Sequence, residues 1–144
     1  MHATVRSVIE TASDAAGDIC ILDTEASPEH LSRGTAQYAE TMLIVVEPYY
    51  KSLETGRRMS VLAKDLGLER VGLIANKIRD AHERAAVEEF AQLHGLEIVG
   101  VIPFDERLPD AERAEQAPLD FAPNSPAVRA ITQLAQEVAS DGRA

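Results

Sequence analysis

The sequence predicts an α/β fold, a three-layer, open and mainly parallel sheet with helices on both faces. Four short, continuous apolar runs, Ile19–Leu22, Met42–Val46, Val71–Ala75 and Ile98–Ile102, alternate with stretches of helical period. Strands lacking polar alternation are covered on both faces, and the crossover helices of βαβ units supply that cover. Each run also ends on polar or turn-forming residues, and short right-handed crossovers bring all such ends to one edge of the sheet. Asp23, Glu47, Asn76-Lys77 and Pro103 to Asp105 are therefore expected along one rim.

In chain order, Val5, Val8, Ile9 and Ala12 share one helical face close behind Met1, leaving no room ahead of them for a further strand. Asp14 to Gly17 lead into the Ile19–Leu22 strand, which ends on Asp23. Glu29 to Glu40 is polar with helical propensity, and Met42–Val46 is a second strand closed by Glu47-Pro48. Leu53, Gly56, Met59, Leu62 and Leu66 mark a helical stripe over Lys51–Leu66 that stops at Gly67. After Val71–Ala75 and Asn76-Lys77, a helix over Arg79–His94 turns Ala86, Val87, Phe90, Ala91 and Leu93 inward and stops at Gly95. Ile98–Ile102 precedes Pro103-Phe104-Asp105, a short helix over Leu108–Gln116 and a loop over Pro118–Pro123. Ser125-Pro126 then caps a last helix with Val128, Ile131, Leu134, Ala135 and Val138 toward the core.

A length of 144 residues with 45% apolar content suits a single domain over 1–144. The net charge of −10, from 24 acidic and 14 basic side chains, repels phosphate backbones and anionic lipids, which argues against nucleic-acid and membrane-surface partners. Cys20 is the sole cysteine and lies mid-strand, so it reads as a buried structural thiol in a reducing compartment. No apolar run reaches the roughly 20 residues of a membrane span, and no basic-then-apolar leader opens the chain. A soluble, cytoplasmic protein is the expectation.

The rim carries the chemistry. A carboxylate at the end of a buried parallel strand enters the ligand crevice of an open α/β sheet, so Asp23 is placed to hold magnesium through water; alternatively it opens a turn or caps the next helix. Asn76 offers an amide whose paired donor and acceptor match a purine edge, with the Lys77 stem against the ring. A turn-forming Asn beside a solvated Lys is the plainer alternative.

The order of these motifs resembles the MinD/ParA branch of P-loop ATPases, and within it the CooC-type ATPases that help insert nickel into carbon monoxide dehydrogenase. Asp23-Thr24-Glu25-Ala26, Glu29-His30-Leu31-x-Arg33-Gly34-Thr35 and Val45-Val46-Glu47-Pro48 carry the likeness, with Ser52-Leu53-Glu54-Thr55, Asn76-Lys77 and Ile102-Pro103-x-Asp105 completing it. The resemblance implies a P-loop NTPase-like fold, truncated, with ATP and Mg²⁺ as cofactors. It implies that Asp23 helps hold magnesium and that Asn76 and Lys77 meet the base, with Pro103 and Asp105 in the loop closing over it. Glu25, His30 and Arg33 would serve the switch and the dimer contact, for which a solvated helix face is the alternative. No catalytic residue is assigned.

Three departures shape the expectation. The chain contains no GxxxxGK loop, the backbone cradle and lysine that bind phosphate. It lacks the Cys-x-Cys of CooC-type proteins, and Ser27-Pro28 stands where they have glycine. Without the phosphate-loop strand, either the Asp23 strand pairs directly with the Met42 strand or another chain, in a homodimer or a partner complex, supplies the missing half. Two functions fit: the C-terminal part of a CooC-like ATPase maturing a metalloenzyme client, inactive alone, or a non-enzymatic pseudo-ATPase interaction module.

Overall fold

A computed structural model describes residues 19–24 and 39–141. Three strands, β1 (Thr41–Val46), β2 (Arg70–Ile78) and β3 (Ile98–Pro103), form a parallel sheet in the order β1-β2-β3. Between them run α1 (Tyr50–Asp65) and α2 (Ala81–His94); α3 (Arg107–Arg113), α4 (Pro118–Phe121) and α5 (Pro126–Asp141) follow.

Successive strand residues point to opposite faces, and the central strand shows the division. Leu73 and Ala75 join Ile44 and Val46 of β1 under Leu53, Met59 and Ala63 of α1 and Val87 and Ala91 of α2. Ile74 faces the other way, with Ile102 and Ala127, against Leu43 and Leu134. Helices thus lie on both faces, as the continuous apolar runs require. Full burial of a side chain such as Leu73 is worth about 2 kcal/mol.

Helix ends follow local chemistry. Gly67, at φ +87°, lets Leu68 N–H close on the Ala63 carbonyl (3.0 Å) while Leu68 folds back into the core, a Schellman ending. Asp80 caps α2 by accepting the Glu83 N–H (2.8 Å), and Glu83 reaches back to the Arg79 N–H (2.7 Å). α1 lies close on β1 because Gly56 presents no side chain: a Cβ there would stand 2.5 Å from Val46 Cγ1.

Several expectations are corrected. Ile19–Leu22 forms no strand; Ile21 is 87% exposed and Cys20 is exposed, not buried. Apolar residues make a strand only beside a neighbour that completes their hydrogen bonds, and none of the described strands takes that place. Pro118–Phe121 is a helical turn, its proline at a first-turn position where no N–H is needed. Leu93 and Ala86 on α2, and Ile131 and Ala135 on α5, are exposed, because each helix touches the sheet along a narrower line than its apolar stripe. The expected helices over 1–12 and 29–38 lie outside the described residues.

Candidate functional site

The carboxyl ends of the three strands converge on the expected rim. β2 extends past the expected end at Ala75, so Asn76 and Lys77 lie within it, at a break in register. Ala75 is level with Val101 but Ile78 with Pro103, so β2 carries one extra residue, a bulge. Lys77 takes the strain of that bulge at φ 57°, a left-handed conformation uncommon for side chains other than Gly, Asn or Asp. Its N–H donates to Asn76 Oδ1 (2.9 Å), and its Nζ meets Glu47 Oε1 at 2.8 Å, tying the end of β1 to that of β2. Glu47 N–H in turn donates to Ser52 Oγ (3.0 Å) in the first turn of α1. The Glu47–Lys77 pair is half-exposed, so its contribution is positional more than energetic.

The loop after β3 is fastened at two points. Phe104 N–H donates to the Ile78 carbonyl (2.9 Å), carrying β2–β3 pairing beyond Pro103. The Phe104 ring lies under the Arg79 guanidinium, 4.4 Å from carbon to ring centroid, and Arg79 leans on Glu83 at 3.6 Å. Asp105 is engaged by backbone on both oxygens: Oδ1 accepts the Arg107 N–H (3.0 Å) and Oδ2 the Ala127 N–H (3.2 Å). Burial works to raise its pKa; hydrogen bonds from Arg107, Ser125 and Ala127, with the Arg107 charge, outweigh it and hold the carboxyl below the usual range.

Glu47, Asn76, Lys77 and Pro103 to Asp105 are thus brought together, while Asp23 lies in the exposed 19–24 stretch. Glu25, His30 and Arg33 fall outside the described residues. Sequence reasoning missed the Glu47–Lys77 bridge and the Arg79–Phe104 stack. A Glu-Pro and a Lys at the ends of adjacent parallel strands was an available sign of the first; nothing in the spacing announced the second.

The residues present do not complete a site for the groups the resemblance implies. No three His, Cys, Asp or Glu side chains converge among the described residues to hold a metal ion. No glycine-lysine loop is present for phosphate. What the rim brings together is the Asn76 amide, the Lys77 side chain and the Pro103-Phe104 turn.

A parallel three-strand sheet with helices on both faces defines an α/β fold, and similarity to CooC and MinD proteins makes it P-loop NTPase-like, MinD/ParA-like and CooC-like. The chain belongs to the family described as 4Fe-4S iron sulfur cluster binding proteins, NifH/frxC, whose model matches residues 34–144. That matched stretch contains no cysteine, so it brings no thiolate ligands for a cluster. The chain is 41% identical over 95 residues to an uncharacterized ATP-binding protein of Methanocaldococcus jannaschii, covering 66% of this chain and 37% of that protein. With the carbon monoxide dehydrogenase accessory protein CooC of Rhodospirillum rubrum it shares 31% identity over 122 residues, 85% of this chain and 46% of that protein. The MinD cell division protein of Aquifex aeolicus superposes with a TM-score of 0.62 at 27% identity, over 72% of this chain and 45% of that one. The chain therefore spans less than half the length of each of these proteins. Among the described residues no helix is long and apolar enough to cross a membrane.

Proposed function

We propose that this chain is the C-terminal, base-side part of a cytoplasmic CooC-like ATPase that matures the metal centre of an enzyme, carbon monoxide dehydrogenase or a similar client, and is inactive by itself. The observation that carries the reading is the convergence of Asn76, Lys77 and the Pro103-Phe104 turn on one rim, in a chain similar to an accessory protein of that dehydrogenase. In this reading the Asn76 amide N–H groups reach the base, the Lys77 stem and Pro103 flank its ring, and Asp105 holds the loop. Asp23 joins magnesium, and Glu25, His30 and Arg33 form the switch and the dimer contact, only once a phosphate-binding half is supplied. That half comes from a partner chain or from a longer product of the same gene, and the working unit is a dimer.

The DNA preceding the Met1 codon tests this. An in-frame glycine-lysine loop, with ATP hydrolysis by the product bearing both halves, is the expected result. Stop codons in every frame, with no ATP turnover in any complex of the chain, overturn it and leave the pseudo-ATPase interaction module, which the missing phosphate loop favours.

A further inference from the structure

β2 and β3 are neighbours, so the residues that leave them meet beside the rim. Arg79 is the first residue after β2 and Phe104 the first after β3. The Phe104 N–H, bonded to the Ile78 carbonyl at 2.9 Å, fixes the backbone there but does not choose the rotamer of the ring. Phe104 is 37% exposed, so burial does not fully confine the ring either. The Arg79 guanidinium lies 4.4 Å from the ring centroid and holds one face of it.

Arg79 is itself placed from a third element. Glu83, in the first turn of α2, accepts the Arg79 N–H on Oε2 (2.7 Å) and draws the guanidinium with Oε1, 3.6 Å from Nη1. One carboxylate therefore sets both the backbone and the side chain of Arg79. Glu83 is in turn seated by the cap that Asp80 makes to its N–H (2.8 Å). Asp105 fastens the backbone of the Phe104 loop to Arg107 and Ala127 and leaves the ring to Arg79.

We propose that Arg79 is a positioning residue for the base side of the rim: by holding the Phe104 ring it sets the Pro103-Phe104 turn where a purine ring meets it. The inference rests on the base-side reading of Asn76, Lys77 and Pro103 given above. Arg79 acts through Phe104 and needs no contact with the ligand. Its charge is the active part, since an ammonium keeps the attraction to the ring face and an apolar side chain loses it. A ring ordered in advance does not have to be ordered on binding, which favours affinity.

Amide shift titrations of the full chain with adenosine, read at Asn76 and Phe104, test it. Arg79→Ala should weaken adenosine about 2–5-fold, the worth of one exposed cation–ring contact, and should move the Phe104 ring-proton shifts toward unfolded-chain values. Arg79→Lys should stay within about 2-fold of the wild type. In a Phe104→Leu background, Arg79→Ala should cause no further loss, the mark of action through the ring. Equal binding by the wild type and Arg79→Ala overturns the positioning role and leaves the base-side reading standing. A loss as large in Arg79→Lys, or one that persists without the Phe104 ring, overturns it as well. No adenosine shift at Asn76 in the wild type fails the base-side reading itself, and the role of Arg79 with it.

Discussion

Asp105 Oδ2 accepts the Ala127 N–H at 3.2 Å, across 22 residues of chain, while Oδ1 accepts the Arg107 N–H at 3.0 Å. One carboxylate therefore caps the starts of two helices and fixes the β3 loop to α5. Both its oxygens serve the fold, which makes Asp105 a positioning group for Pro103 and Phe104. Asp105→Ala should lower stability by about 1–3 kcal/mol, the cost of two lost caps with a part-buried N–H left unpaired. Asp105→Asn, retaining one acceptor oxygen, should lose less. Urea unfolding followed by circular dichroism measures both; an unchanged midpoint for the alanine variant contradicts the assignment.

Acid should find the same weak point. Asp105 has a folded pKa below its unfolded one, so its contribution is complete above the ordinary carboxylate range and drains as pH falls through the folded value. Glu54 behaves likewise: hydrogen bonds from Arg57, then Arg58, bring it from 4.5 to about 2. Stability should therefore fall between pH 4.5 and about 2. The Asp105→Asn variant should show a flatter acid limb in urea titrations at successive pH values. Glu54 and its arginines sit near solvent, so 1 M salt should reduce its share but leave that of Asp105 largely intact.

Gly56 sets the distance between α1 and β1. Alanine there gains about 1 kcal/mol of helix propensity but places a methyl 2.5 Å from Val46 Cγ1, and Val46 is 2% exposed with nowhere to move. The net result should be a loss of about 1–2 kcal/mol. Val46→Ala on its own opens a small cavity, and the double variant should be more stable than the two single losses summed, the mark of direct contact. Simple additivity in thermal melts contradicts this packing.

Lys77 keeps a left-handed backbone at the bulge. Lys77→Gly removes that strain and gives up a surface ion pair worth roughly 0–1 kcal/mol, so it should match or slightly exceed the wild-type stability. Lys77→Val, β-branched at positive φ, should cost about 1–3 kcal/mol. If valine is tolerated as well as glycine, the bulge has moved, and with it the placement of Asn76; amide shifts of residues 75–78 show which.

The uneven legibility of the sequence has physical causes. β1, α1 and α2 were readable because period and stop signals agree: Leu53, Gly56 and Met59 lie on one line and Gly67 closes it. The part of the rim made by Glu47, Asn76-Lys77 and Pro103 to Asp105 was readable too, since right-handed crossovers leave parallel strands little choice; the place expected for Asp23 was not. Ile19–Leu22 was misread because its pattern reports only that a strand could form; pairing depends on a neighbour that local pattern does not encode. The motif Ile102-Pro103-x-Asp105 marks Asp105 as a loop residue over a base, while its two N–H partners come from Arg107 and, far along the chain, from Ala127. The stripe of α5 was overcounted because Gly100 and Leu134 bring only part of that helix onto the sheet.

The missing phosphate cradle leads to a prediction about ligands. Under the proposed function, adenine contacts from Asn76, Lys77 and Pro103 would leave the triphosphate in solvent, beside a chain of net charge −10. Backbone N–H groups and a loop lysine supply most of the binding energy for ATP in P-loop sites, and the sequence contains no glycine-lysine loop of that kind. Mg–ATP should therefore bind no tighter than about 1 mM. Adenosine should bind about as well as ATP, because the phosphates add charge without contacts. Amide shift titrations with both ligands up to saturation read the ratio, and shifts should centre on Asn76 and Phe104. Micromolar ATP in calorimetry, or a large preference for ATP over adenosine, would mean that phosphate contacts exist within these 144 residues. In that case the base-side reading of the rim fails.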